Sequence, residues 1–144
     1  MHKSLIFKKI PTMLIAFMGA FTIQGQDNSN KGTDFWLGFM DHIEGDDANM
    51  YLYITSDTNA NVTVSIPGQN WSANYTVTQN SLTLVSVPTE KSRVSCSDCK
   101  QAKGIHVTAS LPVVVYSHIY ETYKSDATLV LPTLTTGKEY YCMG

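Results

Sequence analysis

The sequence predicts an all-β, antiparallel, sandwich-like domain, and three observations carry that reading. From Phe35 onward the chain is a series of short runs rich in Val, Ile, Thr and Tyr, divided by turn residues. Apart from the polar, Cys-bearing stretch over 88–103, the gaps between runs are two to nine residues long, too short for crossover helices, so neighbouring strands are expected to pair antiparallel. Beyond Gln26 no segment holds an apolar repeat of 3.6 residues over about 11 positions, which excludes a substantial helix.

The runs follow in order. Residues 35–40 come first. Phe35, Leu37 and Phe39 alternate with Trp36, Gly38 and Met40, so this strand is expected to bury rings on both faces. Residues 50–55 follow an acidic loop. Residues 60–66 place Ala60, Val62, Val64 and Ile66 on one side and Asn61, Thr63 and Ser65 on the other, the period of a half-buried strand. Pro67-Gly68 marks a turn. Residues 72–78 and 81–87 are expected to form a hairpin joined at Gln79-Asn80, with Pro88 closing the second strand. Residues 104–109 and 113–119 come after a polar stretch that carries Cys96 and Cys99. Val113-Val114-Val115 is apolar on both faces, which predicts a central strand, and Pro112 gives it an extended lead-in. Residues 127–131 end at Pro132, and residues 138–143, after a turn at Gly137, are expected to form a further strand.

Residues 1–25 read as an export signal. Lys3, Lys8 and Lys9 form its basic start. An apolar run over 10–21, broken only by Pro11, Thr12 and Gly19, precedes Ile23-Gln24-Gly25, so cleavage leaves Gln26 or Asp27 at the mature start. The run falls short of the roughly 20 apolar residues of a membrane span. We therefore expect a secreted or cell-surface protein with no span in its mature chain. The organisation is a signal over 1–25, a polar linker over 26–33 and one β domain over 34–144. Glu139-Tyr140-Tyr141-Cys142-Met143-Gly144 reads as the beginning of a strand, so the expected domain is incomplete at its C-terminus and the chain is the N-terminal part of a longer protein or a shortened one.

Ten Lys and Arg against twelve Asp and Glu leave no basic stripe, which argues against nucleic acid as a partner. No cofactor-binding motif stands out. The chain has three cysteines, Cys96, Cys99 and Cys142, an odd count for an exported protein. Cys96-Ser97-Asp98-Cys99 has no apolar helical stripe behind it, so a redox pair is not expected. A zinc site would need His106, His118 or Cys142 to complete it, at unsupportive spacings. A local disulfide between Cys96 and Cys99 is the simpler reading, with a bond from one of them to Cys142 as the alternative. Asp41, Glu44, Asp46 and Asp47 are a weak calcium candidate, since oxygen ligands suit that ion but the spacing does not match an EF-hand; a solvated loop is the plainer account. Three Asn-x-Ser/Thr sequons begin at Asn61, Asn70 and Asn74.

Aromatic residues supply the candidate binding surface. In residues 113–120, Val114, Tyr116, His118 and Tyr120 share one face, and Tyr123 lies just beyond. Tyr51 and Tyr53 form a second pair, Trp71 and Tyr75 a third group. Such rings bury much area with little lost rotamer freedom and suit protein or carbohydrate contacts, although rings also fill sandwich cores. No positioned nucleophile such as a Gly-x-Ser-x-Gly elbow is present, so no catalytic residue is expected.

Three segments taken together are similar to a known family: Gly32-Thr-Asp-Phe-Trp-Leu-Gly-Phe-Met40, Gly104-Ile-His-Val-Thr-Ala-Ser-Leu-Pro-Val-Val-Val-Tyr-Ser-His118, and Asp126-Ala-Thr-Leu-Val-Leu-Pro-Thr leading to Gly137-Lys-Glu-Tyr-Tyr141. In this order they resemble the N-terminal domain of the IgGFc-binding protein family, in its version from exported bacterial surface proteins. The resemblance implies a β-rich extracellular module, usually continued by further sequence, that recognises or adheres to other molecules. It implies no catalytic motif and maps no Fc-binding residues onto this chain, and the Cys96/Cys99 pair lies outside its pattern. The expected function is thus a non-enzymatic recognition module for an extracellular protein or glycan. The alternatives are an accessory or catalytic domain of a carbohydrate-acting enzyme, with Asp41, Glu44 or His118 in its site, and a scaffold domain of a larger surface protein.

Overall fold

A computed structural model describes residues 29–41, 48–122 and 124–137. The expected export signal, Glu44, Asp46, Asp47, Tyr123, Cys142 and the expected strand over 138–143 lie outside these residues. The fold is all-β: β1 (Gly32–Leu37), β2 (Asn49–Thr55), β3 (Ala60–Ile66), β4 (Trp71–Val77), β5 (Leu82–Val87), β6 (Ile105–Tyr120) and β7 (Ser125–Val130), with a turn of α-helix, α1 (Thr89–Ser92), before β6 and short 3-10 turns at Pro67–Gln69 and Thr133–Thr135. Every strand pairing among the described residues is antiparallel.

The architecture follows from β6. Its sixteen residues span about 50 Å at ~3.3 Å per residue, twice the reach of its neighbours, so it serves two sheets in succession. Its first half lies between β3 and β1, and its second half between β2 and β7. The first sheet is therefore β4-β3-β6-β1 and the second β5-β2-β6-β7, two layers that share one strand and form a nearly closed barrel.

The change of sheet occurs at Ser110-Leu111-Pro112, where all three side chains are exposed. Proline has no N–H to donate to a ladder, and a bend between sheets is where that loss is tolerated. The register with β1 slips at the same place, from Thr108 opposite Asp34 to Val113 opposite Gly32, so the extra residues of β6 bulge. Buried Ser56 fastens the bend by donating from Oγ to the Pro112 carbonyl at 2.9 Å. The two runs expected on either side of Pro112 are thus one strand, and Val113, Val114 and Val115 are all buried in its middle, as both-faced apolarity requires.

The core lies between the layers. Phe35, Val62, Val64, Ile66 and Val107 descend from the first sheet, and Met50, Leu52, Ile54, Val85 and Val115 from the second. In β3 the buried set is the predicted one, Ala60, Val62, Val64 and Ile66. Gly68 sits in the turn between β3 and β4, where a Cβ would strike the Ala102 backbone; this contact binds the turn to the segment leading into β6.

Two expectations need correction. β4 and β5 are not a hairpin: β4 pairs with β3 and β5 with β2. Their connection crosses from one layer to the other, and it is fixed to the β2–β3 loop instead. The Asn80 N–H donates to the Ser56 carbonyl at 2.8 Å and the Gln79 N–H to Asn59 Oδ1 at 2.8 Å. Nor does β1 bury rings on both faces. Phe35 and Phe39 are buried, whereas Trp36 and Met40 are exposed, because β1 has core on one side only.

Burial of this kind fixes an expected contrast. Leu52→Ala removes a side chain with no solvent exposure and should cost about 2–5 kcal/mol in denaturant unfolding. Leu84→Ala, on the outer side of the second sheet, should stay within about 0.5 kcal/mol.

Candidate functional site

Cross-strand register places the predicted aromatic residues together on the outer face of the second sheet. One row runs Leu84–Tyr53–Tyr116–Leu129, and the next runs Ser86–Tyr51–His118–Ala127. Thr55 and Val114 flank them on one side with Leu82, and Asn49 and Tyr120 on the other with Ser125. His118 is the hub. Its ring centroid lies 5.6 Å from that of Tyr53, 5.9 Å from Tyr120 and 6.5 Å from Tyr51, all in tilted arrangements. The histidine is half-buried, and its Nδ1 is enclosed with no hydrogen-bond partner. That favours the tautomer with the proton at Nε2, which leaves a bare lone pair rather than an unsatisfied donor inside.

The periphery of this face is open. Leu82 is 60% exposed, Leu84 53%, Tyr120 47% and Tyr116 40%. None of the register positions just named carries Asp, Glu, Lys or Arg. An apolar, aromatic surface continuous over four strands is a feature that soluble proteins keep small unless it contacts something. The sequence singled out Tyr116, His118 and Tyr120 on one strand and Tyr51 and Tyr53 as a separate pair; the fold brings the two groups together and adds Leu82 and Leu84. Trp71 and Tyr75 do not join them. They pack inward from β4 against the core.

The outer face of the first sheet is different in kind. Ser72, Asn74, Thr76, Asn61, Thr63 and Ser65 cover β4 and β3 with hydroxyl and amide groups, and Thr63 Oγ1 donates to Asn74 Oδ1 at 2.7 Å. At its β1 edge is a cluster that sequence reading did not single out. His106 Nε2 donates to Asp34 Oδ2 at 2.6 Å, Thr133 Oγ1 donates to Asp34 Oδ1 at 2.6 Å, and Trp36 stacks on His106 at 4.2 Å with planes 9° apart. The signal was present only as matching parity, since Asp34 and Trp36 share one face of β1 and His106 faces Trp36 across the ladder. The cluster is not wired as a hydrolase triad. There an imidazole stands between hydroxyl and carboxylate, whereas here the carboxylate is central and Thr133 bonds to it directly. The Thr133 hydroxyl, followed by the His106 ring, holds the Asp34 carboxyl below its ordinary value, against the opposing effect of burial.

The remaining candidates are placed as follows. Cys96 and Cys99 are bonded to each other in the loop between α1 and β6, so neither thiol heads a helix as a redox pair requires. Asp41 faces Arg93 Nε at 3.5 Å and lines a cleft with residues 94–98. Glu44, Asp46 and Asp47, the rest of the calcium candidate, lie outside the described residues, as does Tyr123. Among the described residues no three His, Cys, Asp or Glu gather as metal ligands, and no helix is long and apolar enough to cross a membrane.

No protein-family profile matches this chain, and no curated protein matches it. Among solved structures it is similar to the Thermotoga maritima protein 1070, at 12% identity and a TM-score of 0.46, over 75% of this chain and 100% of that one. A likeness of that size leaves function to be argued from the residues.

The Asp34 cluster yields a pH dependence. A carboxyl depressed on folding adds stability above its unfolded value and loses it as pH falls through the folded one. At pH 7 Asp34→Asn should therefore melt below the wild type. Below the ordinary carboxylate value of 3.8 the gap between the two should close, as thermal unfolding at stepped pH will show.

Proposed function

We propose that this chain is a non-enzymatic recognition module that binds an extracellular protein through the outer face of its second sheet. The observation that supports this reading is the uncharged patch formed by Tyr51, Tyr53, Tyr116, His118 and Tyr120 with exposed Leu82 and Leu84 beside them. Tyrosine offers area, rigidity and a polar tip at low entropic cost. The leucines favour a protein over a glycan. A sugar needs directed polar groups for its hydroxyls, whereas Leu82, Leu84 and Leu129 set aliphatic groups around the tyrosines of this face. From strand and residue spacings the patch covers on the order of 400 Å², the scale of a weak, transient contact and not of a permanent complex. The resemblance of residues 32–40, 104–118 and 126–141 to the IgGFc-binding family supports an adhesive role, with Fc binding itself unassigned.

The test uses surfaces coated with mucin and matrix glycoproteins, before and after enzymatic deglycosylation. Tyr116→Ser combined with Tyr120→Ser should leave the circular dichroism spectrum unchanged and weaken binding by at least about tenfold, the loss of one interface anchor. Binding should survive deglycosylation. Binding that ignores both substitutions, or that vanishes with the glycans, contradicts the proposal.

A further inference from the structure

Among the described residues of the tyrosine face, His118 carries the side chain type whose charge changes between about pH 5 and pH 8. It stands at the centre of the face. Tyr51 of β2 lies directly across the ladder on one side and Ala127 of β7 on the other. The rings of Tyr53 and Tyr120 sit 5.6 and 5.9 Å away. Beyond β2, Leu84 and Ser86 of β5 continue the same rows, and no Asp, Glu, Lys or Arg stands in them. The charges of the adjoining turn lie outside these rows. Glu121 and Lys124 follow Tyr120, and Asp126 is opposite Ile119, on the other side of the sheet.

The two nitrogens of this ring are not alike. Nδ1 is enclosed and has no hydrogen-bond partner among the described residues. A neutral ring tolerates this by leaving Nδ1 bare and carrying its proton on Nε2. Protonation puts a second N–H at Nδ1, where no acceptor stands, and sets a full charge among rows that hold no carboxylate. An enclosed donor without a partner is destabilising, and more so when it is charged. The tyrosine faces attract a cation and so oppose this effect, but at a face still open to water their attraction is the smaller of the two. A protein seated on the face removes that water. The ring attraction then grows, yet the penalty on an unpaired charge grows more, so the charged form loses more on binding than the neutral one.

We propose that the tyrosine face binds its protein partner through the neutral form of His118, so that mild acid releases the partner. The inference rests on the recognition reading above and adds its regulation. A partner that selects the neutral ring expels the extra proton from the charged one. Affinity then falls as pH falls, by at most about tenfold per pH unit for a single group.

The test measures binding of the full chain to the deglycosylated mucin and matrix-glycoprotein surfaces at about pH 7.5 and about pH 5, the interval in which histidine changes charge. The wild type should bind at least about tenfold more weakly at the lower pH. His118→Phe and His118→Gln cannot take up the proton, and each should change by less than about threefold between the two pH values, whatever its affinity at the upper one. Nitrogen NMR of His118 in the free protein at the upper pH should show a protonated Nε2 and a bare Nδ1. Equal wild-type affinity at both pH values, a parallel fall in the wild type and both variants, or a proton on Nδ1 of the neutral ring would overturn this inference and leave the recognition reading standing. Absence of binding at both pH values would overturn the two together.

Discussion

Almost everything in this fold depends on the length of β6. A strand of sixteen residues cannot lie in one small sheet without leaving half its hydrogen-bonding edges to solvent. Here both edges of both halves are used, by β3 and β1 first and by β2 and β7 after the bend. The three consecutive valines at its centre are the consequence. Where one strand passes from one layer to the next, the pleat presents both of its faces to packed neighbours, and Val113, Val114 and Val115 are all buried there. Ser56 contributes from the β2–β3 loop. Its hydroxyl bonds the Pro112 carbonyl and its own carbonyl receives the Asn80 N–H, so the corner of β6 and the corner between β4 and β5 share one anchor.

The same construction divides the surface into two unlike faces. Both layers put their aliphatic residues inward, and what remains outside differs by strand. The outer side of β3 and β4 carries hydroxyl and amide groups that bond to each other across the ladder, while that of β2, β5 and the second half of β6 carries tyrosines, leucines and one histidine. A polar lattice satisfied within itself asks little of solvent or partner. Exposed rings and leucines do not satisfy themselves in this way, which is why the recognition reading rests on the second sheet. The Asp34–His106–Thr133 cluster joins the chain after β7 to β1 and β6, and its connectivity suits a clasp better than a proton relay.

Much of this was legible in the residues. The alternation in β3 was readable to its last position because turn residues bound it at both ends and every second side chain is apolar. The central position of the valines followed from their two-sided apolarity. The rest failed for definite reasons. Ser110-Leu111-Pro112 looks like a break because proline usually ends a ladder, yet at a change of sheet its missing N–H costs nothing. Gln79-Asn80 has the composition of a hairpin turn, and only the tertiary anchors at Ser56 and Asn59 make it a crossing between layers. Phe35-Trp36-Leu37 is apolar at every position, so parity alone could not show that Trp36 would face outward onto His106. The aromatic face was visible one strand at a time, and its continuity depends on register, which local sequence does not encode.

The central claim is that β6 belongs equally to both layers, so that neither forms without it. Residue-resolved hydrogen exchange under native conditions measures this directly. The account predicts that the paired amides from Ile105 through Ala109 and from Val114 through Ile119 open with a single free energy, equal to that of global unfolding. Independent opening of the two halves, with the segment before Pro112 exchanging while the segment after it stays protected, would contradict it.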